Sequence, residues 1–166
     1  SVSTEPGGPK TNQSSKKELE LFQEGLLEVI PIAEDLGIHL LIEPEPELLI
    51  ENSNQFIEFI EKFDSKFLGL NFDIGHFFCV NENPDELIID LQDYIQHIHL
   101  EDIASSREHY HLIPGYGVID FKKIFTSLQA INYSGFITVE LYPYQNNPQN
   151  AAIESITYLK SIIENV

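Results

Sequence analysis

The sequence predicts an α/β protein built on a parallel sheet, and three observations carry that expectation. Five short apolar runs alternate with helix-like segments, which is the pattern parallel βα units require. The runs turn polar at their C-terminal ends, where a carboxylate or an imidazole follows. Stop and start residues punctuate the segments: Gly37 sits at a helix C-cap position and Asp120 at an N-cap position.

The runs lie at residues 1–4, 38–42, 67–72, 95–100 and 136–141. Residues 18–36 place Leu19, Phe22, Leu26, Val29, Ile30 and Ala33 at helical spacing. A second helix is expected over 52–63, with Phe56, Ile57, Phe59, Ile60 and Phe63 inward. Pro84 and Asp85 open a third, running towards Asp93. Asp120 caps a fourth containing Phe121, Ile124, Phe125 and Leu128, and residues 150–163 form the last. The polar stretch 7–17 reads as a loop. Two architectures accommodate these units, a doubly wound open sheet and a βα barrel. A full eight-stranded barrel needs roughly 200 residues or more. The 166 residues hold five units, so a barrel would here be represented by only part of its strands. The chain has no Met and opens at Ser1 in a strand-like run, so a single domain over 1–166, N-terminally incomplete, is the expectation. An isolated arc of this kind would leave strand edges open, with inward positions such as Leu41 exposed. Self-association as a homo-oligomer is compatible with that.

Composition narrows the function classes. The net charge is −18, from 27 acidic and 9 basic residues, which repels phosphate backbones and anionic lipid. Nucleic acid and membrane are therefore poor partners. No apolar run approaches the roughly 20 residues of a membrane span. The single cysteine, Cys79, cannot form an internal disulfide, and a reducing cytoplasm fits.

The chemistry collects at strand ends. His39-Leu-Leu-Ile-Glu43, Leu70-Asn-Phe-Asp73, Ile95-Gln-His-Ile-His99 and Ile137-Thr-Val-Glu140 each finish on a metal-ligating side chain, at separations of 30, 26 and 41 positions. Parallel α/β folds place their sites at the C-terminal ends of strands. Two Glu, one Asp and one His form an oxygen-rich set with one nitrogen, which suits one divalent ion: Mn²⁺, Mg²⁺, Co²⁺ or Zn²⁺. Leu41, Asn71, His97 and Thr138 lie two positions earlier and face the same way. Asn71, His97 and Thr138 are placed to hydrogen-bond the ligands from behind; for His97 a satisfied core histidine is the plainer reading. His76 follows Asp73 in a turn expected to set it beside the site, for substrate or a second ion. Asp102, the pair His109 and His111, and the segment Ile113-Pro-Gly-Tyr-Gly117 follow His99. The histidine pair shares one face of an extended segment and could chelate, or it could be an ordinary polar loop. Gly115 and Gly117 would let backbone approach a ligand closely.

Taken together, these residues resemble the xylose-isomerase-like TIM-barrel superfamily, which includes sugar-phosphate isomerases and epimerases, ketose 3-epimerases and endonuclease IV. The most specific stretch is Pro114-Gly-Tyr-Gly-Val-Ile-Asp120, then Leu128, then Tyr133-Ser-Gly-Phe-Ile-Thr-Val-Glu140. Glu43-Pro, Asp73-x-x-His76 and His97-x-His99-x-x-Asp102 match in the same order. Tyr116 departs from the pattern, since an acidic or basic residue is common there. The resemblance implies the C-terminal portion of an eight-stranded TIM barrel, about strands 4 to 8. It implies Glu43, Asp73, His99 and Glu140 as ligands of one metal, Glu43 and Glu140 as the acid/base pair, and His76 as a substrate contact. By the endonuclease likeness, Glu5-Pro-Gly7 stands in the place of a His-Pro-Gly ligand motif. The same likeness makes His76, His109 and His111 a set for a second metal. Arg107 and His111 are further candidates for touching substrate. Arg107 and Lys10 are the only basic residues near strand ends, which favours an unphosphorylated sugar.

The expected function is a metal-dependent isomerase or epimerase of a small sugar or sugar-like hydroxy-carbonyl compound, working through an enediolate. The alternatives are a phosphodiesterase or AP-endonuclease-like hydrolase, and a non-catalytic barrel fragment that serves as a binding module.

Overall fold

The computed structural model describes residues 1–8 and 15–166. Lys10 lies outside them. The elements are β1 (Val2–Thr4), α1 (Ser15–Leu36), β2 (Leu40–Ile42), α2 (Ser53–Ile60), β3 (Leu68–Asp73), α3 (Ile74–Cys79), α4 (Pro84–Asp90), β4 (Ile95–Leu100), α5 (Phe121–Ala130), β5 (Ile137–Val139), a 3₁₀ turn (Tyr142–Tyr144) and α6 (Pro148–Ile163). The five strands pair in parallel in their chain order, β1-β2-β3-β4-β5. A doubly wound sheet reverses its strand order at a switch point. This one never does, so it is the sheet of half a barrel.

All six residues of β3 are buried, while β1 is exposed throughout. The centre of the arc is therefore a true core and its rims are edges. The helices cover the outer face with Leu26 and Ile30 of α1, Phe56 and Phe59 of α2, Ile88 of α4, and Phe121 and Ile124 of α5. Each buried Leu, Ile or Phe contributes about 1.5–3 kcal/mol. Three ladder residues on the inner face behave differently from expectation. Leu41 is 1% exposed, so the anticipated bare interior position is in fact covered. His97 and Thr138 remain accessible and bond each other, Nε2 to Oγ1 at 2.9 Å.

Three further differences have simple causes. The helical start lies at Ser15, so residues 15–17 of the expected loop belong to α1. Val29 is 41% exposed, because Leu26, Ile30 and Ala33 already fill the buried stripe of α1. The turn expected around His76 is the six-residue helix α3. Asp73 caps it, its Oδ1 accepting from the His76 N–H at 2.7 Å. A carboxylate at an N-cap satisfies an orphan donor and meets the positive end of the helix.

Candidate metal centre

The ladder delivers four side chains to one place. Asp73 pairs with His99 across β3 and β4, while Glu43 and Glu140 stand one residue past the ends of β2 and β5. Ligand atoms of Glu43, Asp73, His99 and Glu140 all lie within 4.8 Å of one another. His99 Nδ1 is 2.7 Å from Glu43 Oε1, 3.3 Å from Glu140 Oε2 and 4.0 Å from Asp73 Oδ2. The Asn71 amide nitrogen stands 3.4 Å from both His99 ring nitrogens, so it packs on the ring and does not point along one lone pair.

Electrostatics follow from this company. Burial would lower the His99 pKa, but hydrogen bonds to Glu140 and Glu43 carry it up to about 10. Without a metal, an imidazolium therefore fills the centre of the quartet. The hydrogen bond to His99 holds Glu140 below the usual carboxylate range. The set fits a divalent ion, with three carboxylates and one imidazole converging and Asp73 Oδ2 buried without a hydrogen-bond donor.

A second group stands beside it. His76, His109 and His111 also bring ligand atoms within 4.8 Å of one another. His76 Nδ1 meets the Pro44 carbonyl at 2.9 Å and His111 Nδ1 meets the Glu140 carbonyl at 3.1 Å. A carbonyl only accepts, so each Nδ1 donates to its carbonyl, which leaves Nε2 as the ring atom through which each would reach a metal. His109 Nε2 lies 3.1 Å from His111 Nε2. Burial, reinforced by His76 and His111, pushes the His109 pKa down to about 4. The His111 pKa is lowered by burial too.

Members of both groups line one hollow of about 220 Å³: Glu43 and Glu140 of the quartet and His76, His109 and His111 of the trio, together with Glu5, Glu45 and Tyr142. Arg107 lines a neighbouring hollow of about 490 Å³ beyond His109. Its guanidinium lies 3.9 Å over the Phe78 ring and donates to the Phe78 carbonyl.

The glycines at 115 and 117 have another use than the one expected. Their N–H groups donate to Asp102 Oδ2 at 2.8 Å, and the Ile103 and Ile119 N–H groups donate to Oδ1. A Cβ on Gly117 would stand 2.3 Å from both Asp102 Oδ1 and the Ile103 carbonyl. The close approach is thus to Asp102, a buried acceptor that ties the loop after β4 to the chain ahead of α5. Tyr116 is 64% exposed and bonds Glu154 at 2.5 Å, away from the centre.

Sequence reasoning missed Glu45 and Glu101. Both keep the inward parity of a ligand, two positions beyond Glu43 and His99. Burial raises the Glu45 pKa. Glu101 is 0% exposed, and burial together with the Asp73 carboxylate pushes its pKa well up. The pair settles with the proton on Glu101. Asp73 stays below its usual range despite burial, because His76 and its N–H favour the charge there.

Comparison with known proteins identifies the family and the fold. A family model described as "Xylose isomerase-like TIM barrel" matches residues 2–162. Inosose dehydratase of Clostridium beijerinckii is 28% identical over 164 residues, covering 88% of this chain and 55% of the relative. The chain thus spans about half the length of the curated relatives it matches. The crystal structure of a D-tagatose 3-epimerase-like protein superposes with a TM-score of 0.86 at 32% identity, covering 99% of this chain and 62% of the other. A structure of IOLI protein with a binding zinc atom shares the fold, with a TM-score of 0.81 at 20% identity, covering 99% of this chain and 63% of that one.

Proposed function

Because this chain belongs to the xylose isomerase-like TIM-barrel family, we propose that it carries the metal centre of a sugar-modifying enzyme, and more narrowly of a sugar isomerase or epimerase. The observation that carries the reading is the approach of Glu43 and Glu140 to His99 from β2 and β5, three strands apart. Isomerisation and epimerisation both remove a proton next to a carbonyl, and the resulting enediolate is negative on two adjacent oxygens. A divalent ion held by Glu43, Asp73, His99 and Glu140 would supply Lewis acidity to those oxygens. Glu43 and Glu140 take the proton and return it from opposite sides of the substrate. His76 and His111 line the hollow where the rest of the sugar would lie, Arg107 would reach it only from the neighbouring hollow, and His76, His109 and His111 are one candidate set for a second metal. The five strands correspond to strands 4 to 8 of the eight-stranded barrel.

The inosose dehydratase relatives favour a second reading, in which the same proton removal is followed by loss of a hydroxyl as water. The −18 charge weighs against a nucleic-acid hydrolase. Among the described residues no helix is long and apolar enough to cross a membrane. Cys79 is unpaired, its pKa pushed up to about 11 by burial, and a reducing cytoplasm fits it.

Two measurements test the reading. Elemental analysis should find a tightly held divalent ion at the quartet that the Asp73→Ala, His99→Ala double variant lacks; equal metal content in both would sink the metal assignment. Ketoses incubated with the metal-loaded protein in D₂O should gain deuterium at the carbon beside the carbonyl. Retention of products without deuterium would remove the acid/base role of the glutamates, and release of water would select the dehydratase reading.

A further inference from the structure

Asp73 of the quartet is paired, on the side of the histidine trio, with a second acid that the proposed chemistry does not use, Glu101. Asp73 and Glu101 are each 0% exposed and His111 is 2% exposed. Among the described residues, Asp73 Oδ2 and both Glu101 oxygens lack a hydrogen-bond donor in good geometry. One ligand atom from each of Asp73, Glu101 and His111 lies within 4.8 Å of the other two. The approach is built into the backbone, because a Cβ on Gly75 would fall 1.7 Å from Glu101 Oε1, and only glycine admits the carboxylate there. Two carboxylates removed from water cannot both stay ionised unless a cation or a shared proton stands between them.

We propose that Asp73, Glu101 and His111 form a further cation site, which takes a divalent transition ion such as Mn²⁺ or Zn²⁺. Two carboxylates and one imidazole suit such ions, whereas Ca²⁺ would seek six to eight oxygens. The inference rests on the reading above only in that Asp73 would be common to this ion and the quartet's. His111 is also common to this site and the trio. With Nδ1 committed to the Glu140 carbonyl, His111 has one nitrogen left for a metal, so an ion here excludes one in the trio. The donor set decides between them: the trio offers three imidazoles and no carboxylate, while here two buried carboxyl groups converge with one imidazole, and an ion would take the place of the proton on Glu101.

The test is Mn²⁺ and Zn²⁺ stoichiometry by equilibrium dialysis of the full chain at pH 8, with thermal melts in parallel. Wild type should hold two ions and Glu101→Gln one, with the second ion's affinity reduced at least ~100-fold. Gln keeps the shape of the protonated acid, so the metal-free variant should melt no lower than metal-free wild type. His109→Phe should keep both ions. Loss of an ion in His109→Phe with two retained in Glu101→Gln would move the ion to the trio and overturn the proposal. A single ion in wild type, unchanged by Glu101→Gln, would overturn it in favour of a shared proton. The quartet is tested apart by His99→Asn: an ion lost there and not in Glu101→Gln supports the quartet alone, and the converse supports this site while the quartet reading fails.

Discussion

The strand-end quartet and the histidine trio face one another across a single hollow, yet the same side chain behaves oppositely in the two. His99 stands among carboxylates and is carried up to about 10, so it is a cation at neutral pH. His109 stands among imidazoles, half-buried, and is pushed down to about 4, so it is neutral even in weak acid. Burial works against the charge in both places; the neighbours decide which way the balance falls. Their supports differ as well. The quartet grows from the ends of hydrogen-bonded strands, whereas His109 and His111 ride on a loop held by Asp102. A metal arriving at the quartet must therefore displace a proton from a rigid site. One arriving at the trio would meet His109 already held neutral by burial, and would have to break its hydrogen bond to His111.

The largest expected effect tests the difference in support. Asp102→Ala strips the acceptor from four N–H groups, and at about 1 kcal/mol or more for each orphaned donor the loss should exceed ~3 kcal/mol in denaturant unfolding. Below the unfolding transition, quartet metal affinity should change by less than ~10-fold; a larger loss would show that the loop supports both groups.

The next effect tests the proton. Because the His99 pKa is raised to about 10, protons compete with metal throughout the neutral range. Quartet affinity should rise about tenfold per pH unit, roughly 10²-fold from pH 6.5 to 8.5, with about one proton released per ion. Titration calorimetry in buffers of different ionisation enthalpy measures both, and a flat profile would mean that His99 is neutral. An ion bound at the trio should show no such slope above pH 7.

Smaller shifts are expected in metal-free stability. His99, with a folded pKa above its unfolded 6.5, contributes stability that is fully present below pH 6.5 and lost as pH rises towards 10. His109, with a folded pKa below its unfolded 6.5, favours the folded state above pH 6.5, and that contribution is lost as pH falls towards 4. The Tm should therefore fall by a few degrees on either side. His99→Asn should flatten the alkaline limb only. The mildest test leaves the protein intact: imidazole NMR titration of the metal-free chain should find His109 titrating near 4 and His99 near 10. Midpoints near 6.5 for both would erase the contrast.

Much of the quartet was legible because strand periodicity is a local property. Glu43, Asp73, His99 and Glu140 each close an apolar run, and period two gives them one facing direction. The same parity pointed to Glu45 and Glu101, two positions further on, where the strand pattern had already ended and parity was no longer followed. The helix α3 was hidden because Asp73-Ile-Gly-His76 is short and contains glycine, although Asp73 in the N-cap position is a start signal. Val29 shows the limit of helical spacing: six apolar residues mark a stripe, but the sheet opposite has room for fewer. The glycines at 115 and 117 announced a close backbone approach without saying to what.

The sequence by itself determined the alternation of strands and helices, the inward parity of the four ligands and the acidic character of the chain, because each depends on neighbours within a few residues. Only the tertiary structure decided the strand order that excludes a doubly wound sheet. It also decided the partner of Gly115 and Gly117, the meeting of Glu101 with Asp73 and His111, and the opposite shifts of His99 and His109. These depend on residues distant in the chain that come within a few ångströms of one another. At that range, burial and a single neighbouring charge set the state of an ionisable group, and local sequence carries no record of which neighbour will arrive.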